Sequence, residues 1–247
     1  MPINYARRLT GRQREAGGNR QLGMVLAFVA GAANAGGYIA VHQYTSHMTG
    51  IVSAMADDVA GGAFGLAAAG LGALVAFVAG AACCALIVNY ARRRALHSVY
   101  ALPLLLEAVL LLSFGVLGTW LASIEVLIVP ATVTLLCFMM GLQNAVVTKL
   151  SNAEIRTTHI TGVMTDIGIE LGKALYPNRD GAAAPVAANR VRLRLLAMLA
   201  LCFFVGGIAG AVGFTRLGYA ATVPLAMMLV ALAIVPVVDD LRQPRMP

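Results

Sequence analysis

Charge is scarce in this sequence. Only 12% of its residues are Asp, Glu, Lys or Arg, against roughly 25% in soluble domains. It has a single tryptophan. Its four cysteines, Cys83, Cys84, Cys137 and Cys202, all fall inside apolar runs and lack the spacing of a zinc site. They read as small hydrophobes, and no metal or cofactor is expected. Strict polar/apolar alternation is missing, which argues against a transmembrane barrel. No G-x-S-x-G, HExxH, P-loop or dinucleotide fingerprint occurs, so the enzyme classes those motifs mark gain no support.

What is present is apolar. Hydrophobic residues make up 60% of the chain, with a mean hydropathy of +0.81. They are gathered in several runs of about 20 residues or more, the pattern of an all-α polytopic membrane protein in contact with the lipid bilayer. The net charge of +7 is not a nucleic-acid signal here. The arginines sit at the ends of apolar runs, where they orient the chain and meet anionic lipid.

Six spans are expected: 21–41, 63–90, 100–122, 126–147, 195–214 and 217–238. Two further helices, 48–59 (MTGIVSAMADDV) and 160–176 (ITGVMTDIGIELGKALY), are too short or too polar to be ordinary spans. With these two re-entrant or broken, the N-terminal arginines, Arg92–Arg94, Lys149–Arg156, Arg179–Arg194, Arg242 and Arg245 share one side, and only Arg216 falls opposite. That basic side should be cytoplasmic, with both termini on it. Full crossing by both would give eight spans and move Arg92–Arg94 and Lys149 outside. The N-terminal RRLTGRQREAGGNR, followed by LGMVLAFVAGAANA, imitates a cleavable signal. Cleavage is not expected, because GAANA belongs to an internal repeat.

That repeat pairs GAANA at 31–35 with GLQNA at 141–145, and SHMTG at 46–50 with THITG at 158–162. Gly141 lies 110 residues after Gly31, and His159 lies 112 after His47. Each half has an odd number of full spans, so the halves must cross with opposite orientation: two inverted repeats. The expected organisation is a basic cytoplasmic segment 1–20, a first repeat 21–124, a second repeat 125–240 and a tail 241–247, with the boundary near Ser123–Glu125.

An extended backbone within a membrane is tolerated only where it lines a cavity or is buried in protein. Thr45 and Ser46, and their counterparts Thr157 and Thr158, are therefore expected to cap the following short helices through their hydroxyls. Gly50 and Gly162 would admit another backbone closely. Both helix N-termini would point to the midplane and favour an anionic or electron-rich guest. Asn34, Gln143 and Asn144 lie inside spans and need partners; the two turns are the obvious ones.

The stretch GLQNAVVTKLSNAEIRTTHITGVMTDIGIELGKAL, with FVAGAANAGGYIAVHQYTSHMTG before it, resembles the signatures of the YoaK-like family of bacterial inner-membrane proteins, a domain of unknown function. Asn34 stands where an aspartate is frequent in that family, and Ile51 where asparagine often follows TG. The resemblance implies a small integral protein of the bacterial inner membrane and supplies no substrate.

His47 and His159 match across the repeat and could carry protons or bind a guest; they could equally lock the turns. Asp166 and Glu170 share a helix face, and Lys173 can pair with Glu170. Asp57 and Asp58 would be the counterparts in the first half. Glu107 lies about two turns inside a span, where His97 or Arg92–Arg94 could reach it by snorkelling, or where it could couple to protons. Gly61–Gly65 and Gly206–Gly210 read as packing faces, within the fold or between protomers of a homo-oligomer.

The leading expectation is a transporter or channel for an unidentified small solute. Thr45, Ser46, His47, Thr49, Gly50, Thr157, Thr158, His159, Thr161 and Gly162 would line its path. Asn34, Gln143 and Asn144 would brace it, and Asp58, Glu107, Asp166 or Glu170 could couple protons. The alternatives are a membrane-embedded enzyme acting on a lipid or lipid-linked substrate, with His159 and Asp166 sharing a proton, or a non-catalytic assembly or sensor protein.

Overall fold

A computed structural model describes residues 16–120, 125–151, 157–178 and 185–242. Most of the N-terminal basic segment, the repeat boundary at Ser123, Arg156, Arg179 and Arg245 lie outside the described residues. Those described are mostly helical, with no strand among them.

Among the described residues, eight α-helices follow the expected order. They are α1 (Ala16–Val41), α2 (Met48–Ala60), α3 (Phe64–Arg93), α4 (Ala101–Trp120), α5 (Glu125–Ser151), α6 (Ile160–Leu175), α7 (Arg190–Leu217) and α8 (Thr222–Arg242). A short 3-10 turn, Gly218–Ala221, joins the last two. Among the described residues, five helical runs are long and apolar enough to cross a membrane, the last being a 53-residue run over Arg190–Arg242. The 3-10 turn divides that run into α7 and α8, which are 28 and 21 residues long. At 1.5 Å per residue each can span ~30 Å of hydrocarbon.

Chain reversals are made by left-handed residues. Gly62, at φ 76°, closes α2 with bonds from its own N–H to Val59 and from Ala63 N–H to Asp58. Ala95, at φ 53°, ends α3 the same way, with Leu96 N–H returning to Ala91 and its own N–H to Arg92. Both are Schellman-type closures that satisfy the last carbonyls of a helix. Gly218, at φ 58°, ends α7.

The packing partners are reciprocal. The broadest contacts join α1 to α7, α3 to α5, and α4 to α8. Thus the first helix of each half packs on the third helix of the other. The register is fixed by a four-fold F-x-x-G pattern: Phe28–Gly31, Phe77–Gly80, Phe138–Gly141 and Phe203–Gly206. Gly31 lies against the Phe203 carbonyl and Gly206 against the Phe28 carbonyl. Gly141 lies against the Phe77 carbonyl and Gly80 against that of Phe138. A Cβ at any of the four would collide with backbone, so glycine is what lets these helices touch. Gly210 extends the α7 seam against Ala32. By contrast, Gly61 meets only the end of its own helix and Gly65 meets nothing, so Gly61–Gly65 is not a packing face in this chain.

Helix directions follow from the contacts. Along α1 and α5, Asn19 bonds the Leu150 carbonyl, Gln143 bonds the Leu26 carbonyl, and Gly37 approaches Leu136. The two repeat-equivalent helices therefore run antiparallel. Along α1 and α7, Phe28 meets Gly206, Ala32 meets Gly210 and Gly36 meets Phe214, so this pair runs parallel. Arg20, Arg92, Lys149, Arg190 and Asp240 consequently gather at one end of the bundle. Tyr100 links Arg92 to the Lys149 carbonyl there, and Asp240 binds the α3–α4 turn.

Candidate functional site

Each short helix begins beside the middle of a long one. Ile160 and Met164, at the start of α6, share a cavity with residues 200–211 of α7. Farther along α6, Asp166 pairs with Arg192 at 2.9 Å and Glu170 accepts the Asn189 N–H at 2.7 Å. So α6 runs back from mid-bundle to the basic end. At the start of α2, Ile51 packs with Ala73, Ala76 and Phe77 near the middle of α3. Met55 lies over Gly70, and Gly62 turns the chain into α3. So α2 runs from mid-bundle to the far end.

The expected asparagine braces are present in both halves. Ser46 donates to Asn34 Oδ1 at 2.8 Å, and Thr158 donates to Asn144 Oδ1 at 2.5 Å. Gln143, fully buried, donates to the Leu26 carbonyl at 3.2 Å and helps lock α1 to α5. It is not bonded to a turn.

The expected hydroxyl caps are not formed. His47 and His159 occupy the N-cap positions, and neither caps through its side chain. Ser46 and Thr158 are spent on the asparagines. Thr45 and Thr157 are buried, and their hydroxyl oxygens have no partner. Nor do Gly50 and Gly162 admit a second backbone. A Cβ at either would strike the ring of the histidine three residues before it, His47 or His159. The glycine of the motif is thus explained by a ring folded over the first turn of each helix. His47, Thr49, His159 and Thr161 are exposed on the protein surface.

A cavity of about 790 Å³ lies between α1, α6 and α7. The first half contributes Asn34, Tyr38 and Tyr44; the second contributes Ile160, Met164 and Phe204 among others. Tyr38 and Tyr44 stack with ring centroids 4.5 Å apart, making an aromatic wall. Asn34 and Ile160 from the two motifs reach this lining, while the turn hydroxyls and histidines are not among its residues. A second cavity of about 440 Å³ lies between α2, α3 and α5, the counterpart elements, and Asp58 and Gln43 line it.

The carboxylates divide by role. Glu170 is buried and held by Lys173 at 2.9 Å as well as by Asn189. The Lys173 ammonium foremost, with the Asn189 N–H, keeps its carboxyl below the usual carboxylate range. It is therefore a clamp between α6 and α7. Glu107 is buried on α4, with Oε2 unpartnered. The partners expected for it are engaged elsewhere: His97 bonds Asp240, and Arg92 bonds Tyr100. Among the described residues, no group of three or more His, Cys, Asp or Glu is placed to hold a metal.

Residues 22–235 match a family model described as "Protein of unknown function (DUF1275)". The chain belongs to this family. The match takes in both signature stretches of the DUF1275 protein and bears out the resemblance they carry. Comparison with curated proteins and with solved structures gives no match.

Sequence reading missed three features of this DUF1275 protein. The F-x-x-G pattern was legible as four copies of one spacing. The Asp240 clamp carried no signal, because its partners His97 and Ser98 lie more than 140 residues away. Tyr38 and Tyr44 lay beside the motif, and only the fold stacks them into the cavity wall.

Proposed function

We propose that this DUF1275 protein is a membrane transporter or channel for a small solute, built as two inverted repeats. The observation that carries this reading is the 790 Å³ cavity, because both repeat units supply its walls. The antiparallel course of α1 and α5 supports the inversion. So do the two short helices that start at mid-bundle and leave towards opposite ends. Such broken elements at a repeat interface are where transporters bind substrate.

The lining is dominated by apolar and aromatic side chains, with Asn34 and the two tyrosines as its polar groups. The solute class that fits is a small, mainly apolar or aromatic molecule with one or two hydrogen-bonding groups. The unpartnered Thr45 and Thr157 hydroxyls mark where each turn can form a new bond when it moves. Glu107, buried on α4, is the proton-coupling candidate. The protein would reside in the bacterial inner membrane with both termini cytoplasmic.

The lipid-enzyme reading asks for a cavity open sideways to the bilayer, with His159 and Asp166 sharing a proton. Exposed lining residues such as Phe204 and Ile208 meet the first requirement, but Asp166 is committed to Arg192, which favours transport. The test is uptake into liposomes under an imposed pH gradient, with a panel of aromatic and aliphatic solutes. Flux that falls at least tenfold in Asn34→Leu and in Tyr44→Ala supports the reading. Silence across the panel, or wild-type flux in both variants, contradicts it.

A further inference from the structure

The basic end of the bundle holds a third cavity, of about 510 Å³, between α1 and α7. Its lining divides in two. Arg20, Arg190 and Arg194 form the polar part, and Met24, Leu195 and Met198 belong to the apolar part. Among the described residues, no carboxylate lines it. The spacing on α7 explains why. Arg190 and Arg194 are four residues apart and share a face. Arg192, between them, points the other way and is neutralised by Asp166 at 2.9 Å. The helix therefore spends one arginine on α6 and turns two towards α1, where Arg20 joins them. Leu195, next to Arg194, and Met198, one turn beyond it, continue the groove with apolar side chains.

We propose that this groove is a binding site for an anionic phospholipid. The three guanidiniums receive the phosphate headgroup, and Met24, Leu195 and Met198 receive the upper part of an acyl chain. Guanidiniums bind phosphate oxygens through paired donors. Basic pockets between spanning helices at a membrane face suit anionic headgroups. A free phosphate would use the arginines and leave the apolar part empty, whereas a lipid uses both. The site does not depend on what the protein transports.

The full-length protein, delipidated in detergent, is titrated by native mass spectrometry with phosphatidylglycerol, with phosphatidylcholine of the same chains, and with inorganic phosphate. The wild type is expected to bind phosphatidylglycerol at least tenfold more tightly than phosphatidylcholine. Each interfacial arginine should contribute about fivefold, so Arg20→Gln/Arg190→Gln/Arg194→Gln should weaken that binding on the order of 100-fold. The charge-preserving Arg190→Lys/Arg194→Lys should keep most of the preference, and Arg216→Gln, outside the groove, all of it. Equal binding of the two lipids, or an unchanged preference in the triple glutamine variant, would overturn the proposal. So would displacement of phosphatidylglycerol by millimolar phosphate, which would make this a free-anion site. If the triple variant does not stay monodisperse, the single Arg194→Gln, on an exposed residue, is expected to cost about fivefold; no loss there contradicts the site.

Discussion

Thr158 gives its hydroxyl hydrogen to Oδ1 of Asn144 at 2.5 Å, across 14 residues of chain. Ser46 and Asn34 repeat the relationship in the first half at 2.8 Å. Each bond ties a non-helical turn to the long helix before it. Side-chain hydrogen bonds of this kind contribute about 0.6–2 kcal/mol in membrane proteins. Thr158→Val and Ser46→Ala should each lower stability by that amount in detergent unfolding. Combined with Asn144→Ala or Asn34→Ala, each should cost less than the sum of the singles, since the same bond is lost twice. Strict additivity would show that the bonds carry no energy.

The glycine seams separate two classes of substitution. Gly31→Ala, Gly80→Ala, Gly141→Ala and Gly206→Ala each push a Cβ into a facing carbonyl. Each should destabilise by about 1–3 kcal/mol through overpacking. Gly65→Ala and Gly72→Ala meet open space within helices and should be neutral or stabilising by up to about 1 kcal/mol, as alanine is the better helix former. Thermal melts of the six variants check the division.

Asp240 accepts four hydrogen bonds from two residues. These come from the N–H groups of His97 and Ser98, the Ser98 hydroxyl and the His97 ring. It pins the α3–α4 turn to the end of α8. Hydrogen bonds to a charged acceptor are worth about 1.5–3 kcal/mol each at best and share one desolvation cost. Asp240→Ala should therefore cost about 2–4 kcal/mol, and Asp240→Asn less, because the amide keeps one acceptor. Denaturant unfolding followed by tryptophan fluorescence reads both.

Glu170 ties α6 to α7 and its carboxyl titrates below its ordinary value of 4.5. A depressed acid stabilises the fold above its unfolded value and loses that contribution as pH falls through the folded one. Hydrogen exchange in residues 166–175 should therefore be slow and constant at neutral pH after correction for intrinsic rate, then quicken as the pH falls below 4.5. Glu170→Gln should show the quick pattern at every pH.

The helices were largely legible in the sequence because hydrophobicity over some 20 residues is a strong local signal. The expected 48–59 and 160–176 segments became α2 and α6 within a residue at their ends. The asparagine braces were legible because an amide in an apolar run must find a partner nearby. The caps were not. A hydroxyl before a helix can serve the helix or another group, and Asn34 and Asn144 claimed Ser46 and Thr158. A glycine after a threonine suits close contact between backbones, yet at Gly50 and Gly162 a neighbouring histidine ring occupies that space. The cavity wall was beyond reach, since it joins Tyr44 to Met164 through packing of distant segments.

The central claim is that α2 and α6 enter from opposite membrane faces and return without crossing. The direct measurement is side-specific thiol labelling in a cysteine-free background, using Ala60→Cys after α2 and Tyr176→Cys after α6, both at exposed positions. Ala60→Cys should react only from the face opposite the termini, and Tyr176→Cys only from the face that bears them. Labelling of both from one face would mean that the short helices cross, and would contradict the inverted, re-entrant arrangement.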